Sequence, residues 1–184
     1  MRALLTGILA AALLAPQDPA VHKAERFAAI MSAGPLTPHP TAIDIGVDRW
    51  AGEETRLSLF DLFHSGGLPA LLAAVKKAGT AGFVRIPNHE RLQAGYVQQD
   101  DRGPGNGRRI LMLCVRYPGD WELTRDAGWT DHVFRIVALT LDAKDRGTGM
   151  IFHTARITFG KDGPDLVSEL SGQPTKLLSV QKVR

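Results

Sequence analysis

Asp100-Asp101-Arg102-Gly103-Pro104-Gly105-Asn106-Gly107-Arg108-Arg109-Ile110-Leu111-Met112-Leu113-Cys114-Val115-Arg116 is the stretch on which the fold turns. Its first eight residues hold three glycines and no apolar side chain, which is turn composition. An unbroken apolar run follows. On an extended chain Ile110, Met112 and Cys114 fall to one side, and Leu111, Leu113 and Val115 to the other. Both sides are apolar, so this strand is central and covered on both faces. Arg108 and Arg116 share the side of Ile110, while Arg109 shares the side of Leu111. A guanidinium that enters a covered space needs a carboxylate or an anionic ligand. By sequence the nearest structural partner is Glu122, beyond the Pro118-Gly119-Asp120 turn.

Outward from this strand, 83–86, 92–99, 133–141, 150–159, 166–170 and 176–183 also read as strands. Lys144-Asp145-Arg146-Gly147 and Lys161-Asp162-Gly163-Pro164 are hairpin tips. Such short tips join antiparallel neighbours, because a parallel return needs a crossover of about a dozen residues. Residues 41–50 alternate, with Ile43, Ile45 and Val47 opposite Asp44 and Asp48. The period then changes. Leu57, Phe60, Leu62 and Phe63, then Leu68, Leu71, Leu72 and Val75, fit two short helices joined through Gly66-Gly67. Val21, Ala24, Phe27, Ala28 and Met31 suit one face of an earlier helix, stopped by Gly34-Pro35.

The expected architecture is α+β: a mainly antiparallel sheet of about eight strands with a short helical hairpin inserted after the first strand. A sheet this long curls into a barrel or folds into two layers, and the last strand closes a barrel by pairing with the first. Residues 16–40 are expected to be an N-terminal helix and linker, and residues 41–184 a single β-rich domain.

The chain has 184 residues, and its net charge of +3 excludes a polyanion binder driven by bulk charge. Hydrophobic residues make up 44% of it, too many for disorder. One cysteine excludes an intramolecular disulfide framework and a Cys-based zinc site. Met1-Arg2 followed by the apolar run Ala3 to Ala15 has the pattern of a secretory signal peptide (residues 1–15), with small residues for cleavage after Ala12. The run is too short to span a bilayer. The expectation is a periplasmic or extracellular protein without stable membrane insertion after signal cleavage.

Catalytic signatures are missing from the sequence. Ser65-Gly66-Gly67 is not a nucleophile elbow, and the glycines at 103–107 lack the lysine and following helix of a phosphate loop. None of the six histidines makes a metal-ligand spacing. Arg116-Tyr117-Pro118-Gly119-Asp120-Trp121-Glu122 gathers aromatic and charged residues in one turn, with Trp50, Tyr96 and Trp129 elsewhere. A barrel mouth lined by Tyr, Trp and Arg suits a small amphipathic or anionic ligand. Strand-borne Arg85, Arg135 and Arg156 line a sheet face, either paired with acids such as Asp142 and Glu169 or bordering a cavity for acids. The candidate binding residues are therefore Arg109, Arg116, Trp121, Glu122, Tyr96 and Arg85. The expected role is non-catalytic binding of a small molecule or a partner protein, as a monomer or homodimer, without cofactor, metal or nucleic acid. Two alternatives remain: a solid-core structural or interaction module, and a hydrolase-like enzyme whose site is assembled from distant residues around His132 or His153.

Several stretches together resemble a family of small exported bacterial proteins of unassigned function. They are the Ile43-Asp44-Ile45 strand, Trp50 with Glu53-Glu54, Leu68 to Leu72, Gly82-Phe83-Val84-Arg85, Gly107-Arg108-Arg109-Ile110, and Arg116-Tyr117-Pro118 with Trp121-Glu122. The resemblance covers most of residues 41–183. In the family's pattern a Thr-Asp pair precedes an Arg-Pro-like turn, whereas here Cys114-Val115 stand there and Tyr117 intervenes before Pro118. The resemblance implies export and a single compact domain, and it implies no activity.

Overall fold

In a computed structural model, which describes residues 23–34, 37–115, 134–159, 166–170 and 174–183 and gives 154–159 and 166–170 as backbone alone, the central strand is β5 (Gly107–Val115). To one side of it lies β4 (Leu92–Gly103) and to the other β6 (Phe134–Leu141), both antiparallel. From β4 the ladder runs on through β3 (Gly82–Arg85), β2 (Thr41–Val47) and β1 (Glu25–Met31). It continues to β9 (Thr175–Val183) and β7 (Arg146–Phe159), and β7 pairs back onto β6. Eight antiparallel strands thus close into a barrel. The short strand β8 (Leu166–Leu170) stands outside the ring on the far half of β7. Closure satisfies the ring's ladders on both sides and removes its sheet edges.

Inward-facing residues form one apolar cluster that includes Phe27, Met31, Ile45, Met112, Leu139 and Leu177. A ring of eight strands is just wide enough for side chains to fill. The opposite face of β5 is covered too. Leu113 is buried there with Tyr96, Phe134 and Ile136, beneath Leu59, Leu71 and Val75 of α1 (Glu53–Lys77). The apolar residues on both sides of β5 therefore face two different partners, the barrel interior and the helical cover.

α1 is two arms rather than one rod. Gly67 takes φ 65° and ψ −160°, a conformation that side chains disfavour, and Pro69 follows in the first turn of the second arm. Arg49, just before the first arm, donates from Nη2 to the carbonyl of Ala78, just after the second, at 2.6 Å. The chain has therefore doubled back. Glu53 and Glu54 open the first arm and Lys76 and Lys77 end the second, each with the sign that suits the helix dipole. The second arm sits hard against β4. A Cβ on Gly95 would stand 2.5 Å from the Val75 carbonyl oxygen.

Two expectations are corrected. Residues 25–31 are a strand, not the end of a helix, and the hairpin therefore follows the second strand. Phe27, Ala29 and Met31 are buried, while Arg26 and Ile30 are exposed. The small alanines fit either period. The decision comes from pairing, because β2 and β9 both bond to this segment. Barrel closure accordingly runs through β1–β9 rather than through the 41–50 strand.

Candidate functional site

Among the described residues, polar or aromatic side chains gather at the two ends of the barrel and at the seam beneath the hairpin. At the first end, Asp145 comes from the turn between β6 and β7, and each strand-borne residue lies one alternation step beyond the last apolar inward residue of its strand. Glu25 precedes Phe27, Gln99 follows Val97, Arg108 precedes Ile110 and Lys182 follows Val180. Arg108 donates from Nη2 to Glu25 Oε2 at 2.6 Å, from Nε to Asp145 Oδ1 at 2.9 Å and from Nη1 to Gln99 Oε1 at 2.7 Å. Lys182 Nζ lies 3.1 Å from Glu25 Oε1 and 3.5 Å from Asp145 Oδ2. Burial opposes the Arg108 charge, but the hydrogen bonds and charges of Glu25 and Asp145 outweigh it and hold its pKa above the ordinary value. The rings of Phe27 and Trp50 lie 5.8 Å from its guanidinium carbon. Among the described residues two cations meet two carboxylates here, which makes this end a charge-balanced plug.

At the other end Arg135 shares the inward parity of Val137, Leu139 and Leu141, and its Nε is buried. It stands opposite Cys114. Burial pushes the Cys114 thiol up to about 12, against the downward pull of Arg135. A thiol in that state is no nucleophile near neutrality. β7 carries a register shift here, with Phe134 opposite Ala155 but Ile136 opposite Phe152. Within it His153 follows Ile151, and its Nε2 lies 2.7 Å from the hydroxyl of buried Thr175.

The third place is a cleft of ≈ 320 Å³ between the hairpin and the outer face of β4. Its walls are Trp50, Leu59, Val75, Gly95, Tyr96 and Val97, with Arg49 and Thr55 at the opening. The polar tips of its aromatics are engaged. Tyr96 donates its hydroxyl to Gln98 Oε1 at 2.7 Å, and Trp50 Nε1 donates to the Lys23 carbonyl at 3.1 Å. Burial holds the Tyr96 phenol above its usual range, more strongly than the Arg56 charge draws it down. Arg49 uses one N–H on Ala78, and among the described residues none of a guanidinium's four other donors is engaged.

The expected site residues scatter. Tyr96 enters the cleft. Arg109 lies outside the barrel, where its Nε and Nη2 donate to Asp100 Oδ2 at 3.1 and 2.7 Å. Arg85 is exposed and ion-paired with Asp44. Arg116, Trp121 and Glu122 lie outside the described residues, as does His132. Parity leaves Arg108, Arg109 and Arg116 all open for a covered place, and the half-buried guanidinium is that of Arg108, which is not among the candidate binding residues. Its partners are Glu25 and Asp145, 83 and 37 residues away. Arg49 was not singled out by sequence; its adjacency to Trp50 was the available signal. Among the described residues no three His, Cys, Asp or Glu side chains gather as metal ligands.

The chain matches no family model, no curated protein and no solved structure. What stands is a β-barrel domain whose described residues show no catalytic constellation, which fits a non-catalytic binding or structural module.

Proposed function

We propose that the protein is an exported, non-catalytic binding module that holds a small amphipathic anion in the cleft between hairpin and barrel. One observation carries this reading: an apolar cleft of ≈ 320 Å³ whose opening presents Arg49. That volume lies within the range of small-molecule sites. Trp50, Leu59, Val75 and Tyr96 would take the apolar body, and the spare donors of Arg49 a carboxylate or sulfonate. Export rests on the Met1 to Ala15 pattern.

The test uses 1-anilinonaphthalene-8-sulfonate, an amphipathic anion whose emission rises in apolar surroundings. Titrating it into the protein is expected to give a saturable signal. Thr55→Trp, an exposed position at the opening, should abolish that signal by filling the cleft. Arg49→Gln should weaken binding about tenfold through loss of charge-assisted hydrogen bonds. No saturable binding, or binding indifferent to Thr55→Trp, refutes the site.

A second reading, a solid-core interaction module, is favoured by the continuous apolar filling of the barrel interior. It shares the export signal and needs no ligand. Failure of the cleft test selects it.

A further inference from the structure

The first arm of α1 turns one stripe away from the barrel: Glu53, Glu54, Leu57, Ser58, Asp61, Leu62 and Ser65 line an open groove along it. Leu57 and Leu62 are 45% and 38% exposed, among the most exposed large apolar side chains described. The helical segment has a mean hydropathy of 1.3 over its most apolar 18 residues, with 17% of that window buried. Single exposed apolar side chains are ordinary, but Leu57 and Leu62 share one groove, where contiguous apolar surface can seat a partner. The question is what covers it.

Charge answers. The stripe carries three carboxylates and no base. Arg56 clasps Glu53 through Nη2 and Nε at 2.7 and 3.0 Å, while Glu54 and Asp61 form no ion pair among the described residues. An anionic membrane is the wrong occupant, because helices that lie in such an interface carry Lys and Arg on their polar face, and these acids would be repelled. Nor can the segment cross a bilayer. Gly67 reverses the chain, and the longer arm, residues 53–66, extends about 21 Å at 1.5 Å per residue, short of the ~30 Å hydrocarbon layer.

We propose that this face docks an amphipathic, basic helix of a partner protein, with apolar side chains on Leu57 and Leu62 and Lys or Arg opposite Glu54 and Asp61. Its residues are distinct from the cleft, which lies on the barrel side of the same hairpin.

The probe is a fluorescein-labelled Leu/Lys model helix of fourteen residues, followed by anisotropy with the full chain, beside a Leu/Glu helix of equal length. The Leu/Lys peptide is expected to bind, more weakly as salt rises, and the Leu/Glu peptide not to bind. Leu57→Ser with Leu62→Ser should weaken binding by at least about tenfold. Glu54→Lys with Asp61→Lys should do the same and reverse the salt dependence. All four positions are exposed, so both variants should keep the parent's circular dichroism. The proposal is overturned if the Leu/Lys peptide does not bind, if the Leu/Glu peptide binds as well, or if neither double variant weakens binding. It is equally overturned if Leu57→Ser with Leu62→Ser abolishes cosedimentation with phosphatidylglycerol vesicles, which gives the face to a membrane. Conversion of a parental dimer to a monomer by that variant gives the face to a second copy and overturns it too.

Discussion

Arg108→Met should be among the costliest single changes at the barrel end. The guanidinium is 17% exposed, and its partners Glu25 and Asp145 are 14% and 29% exposed. Breaking a buried ion pair from one side costs about 3–5 kcal/mol, mostly through the carboxylate left behind. Here two carboxylates are left behind. Two features reduce the loss: Lys182 stays within 3.1 and 3.5 Å of them, and the cluster is partly wet. Methionine also refills most of the arginine stem's volume. The expected cost is about 2–4 kcal/mol at pH 7, or roughly 10 °C in Tm for a chain this long. The penalty comes from the carboxylates left without their partner. Urea denaturation of parent and variant at pH 7 measures it. Adding Glu25→Gln to Arg108→Met should recover part of the loss. A cost below about 0.5 kcal/mol, or no recovery on adding Glu25→Gln, would refute the claim that the plug holds this end by charge pairing.

Asp100 is held below the ordinary carboxylate range: burial pushes its pKa up, but hydrogen bonds from Arg102 and Arg109 outweigh that. Its stabilisation is therefore present above about pH 4 and lost as pH falls through the lowered folded-state value. Asp100→Asn should flatten the acid limb of a urea-midpoint profile by under about 1 kcal/mol, and an unchanged limb would count against the cluster. With the Cys114 thiol pushed up to about 12, alkylation by iodoacetamide at pH 8 should be at least roughly a thousandfold slower in the folded protein than in urea. Comparable rates would place that thiol outside the barrel core. Gly95→Ala sets a Cβ against the Val75 backbone, and lifting the second arm should cost about 1–3 kcal/mol and alter Trp50 fluorescence in the adjoining cleft. A neutral Gly95→Ala would mean that the arm does not rest on β4.

Legibility followed the physics of each element. β5 was readable because its six-residue apolar run has only one explanation, cover on both faces, and the barrel interior and hairpin supply the two covers. The break at Gly66-Gly67 and the proline two residues on marked the hairpin for the same reason: few other conformations suit those residues. β1 was misread because Ala24, Ala28 and Ala29 carry too little side chain to distinguish a period of 3.6 from one of 2. Pairing with β2 and β9 supplied the information that its own residues lack. That an arginine at an end of β5 enters covered space was legible, but parity could not choose Arg108 over Arg109 or Arg116, because both faces of the strand are apolar. Glu25 and Asp145 were not legible, because nothing local points to carboxylates 83 and 37 residues away. The same limit hid the cleft. Arg49 and Trp50 meet Tyr96 only once the hairpin has folded back on β4.

The pairing of β1 with β9 sets the order in which this protein becomes itself. Met31 waits for Leu177, and Arg26 for Val183. Every strand from β1 through β9 must be made before that seam can form. Until then β1 and β7 each lack a neighbour, and the ring stays open. A chain that stops short of β9 would present two open ladders to its surroundings, so premature termination should yield aggregates rather than a smaller soluble protein.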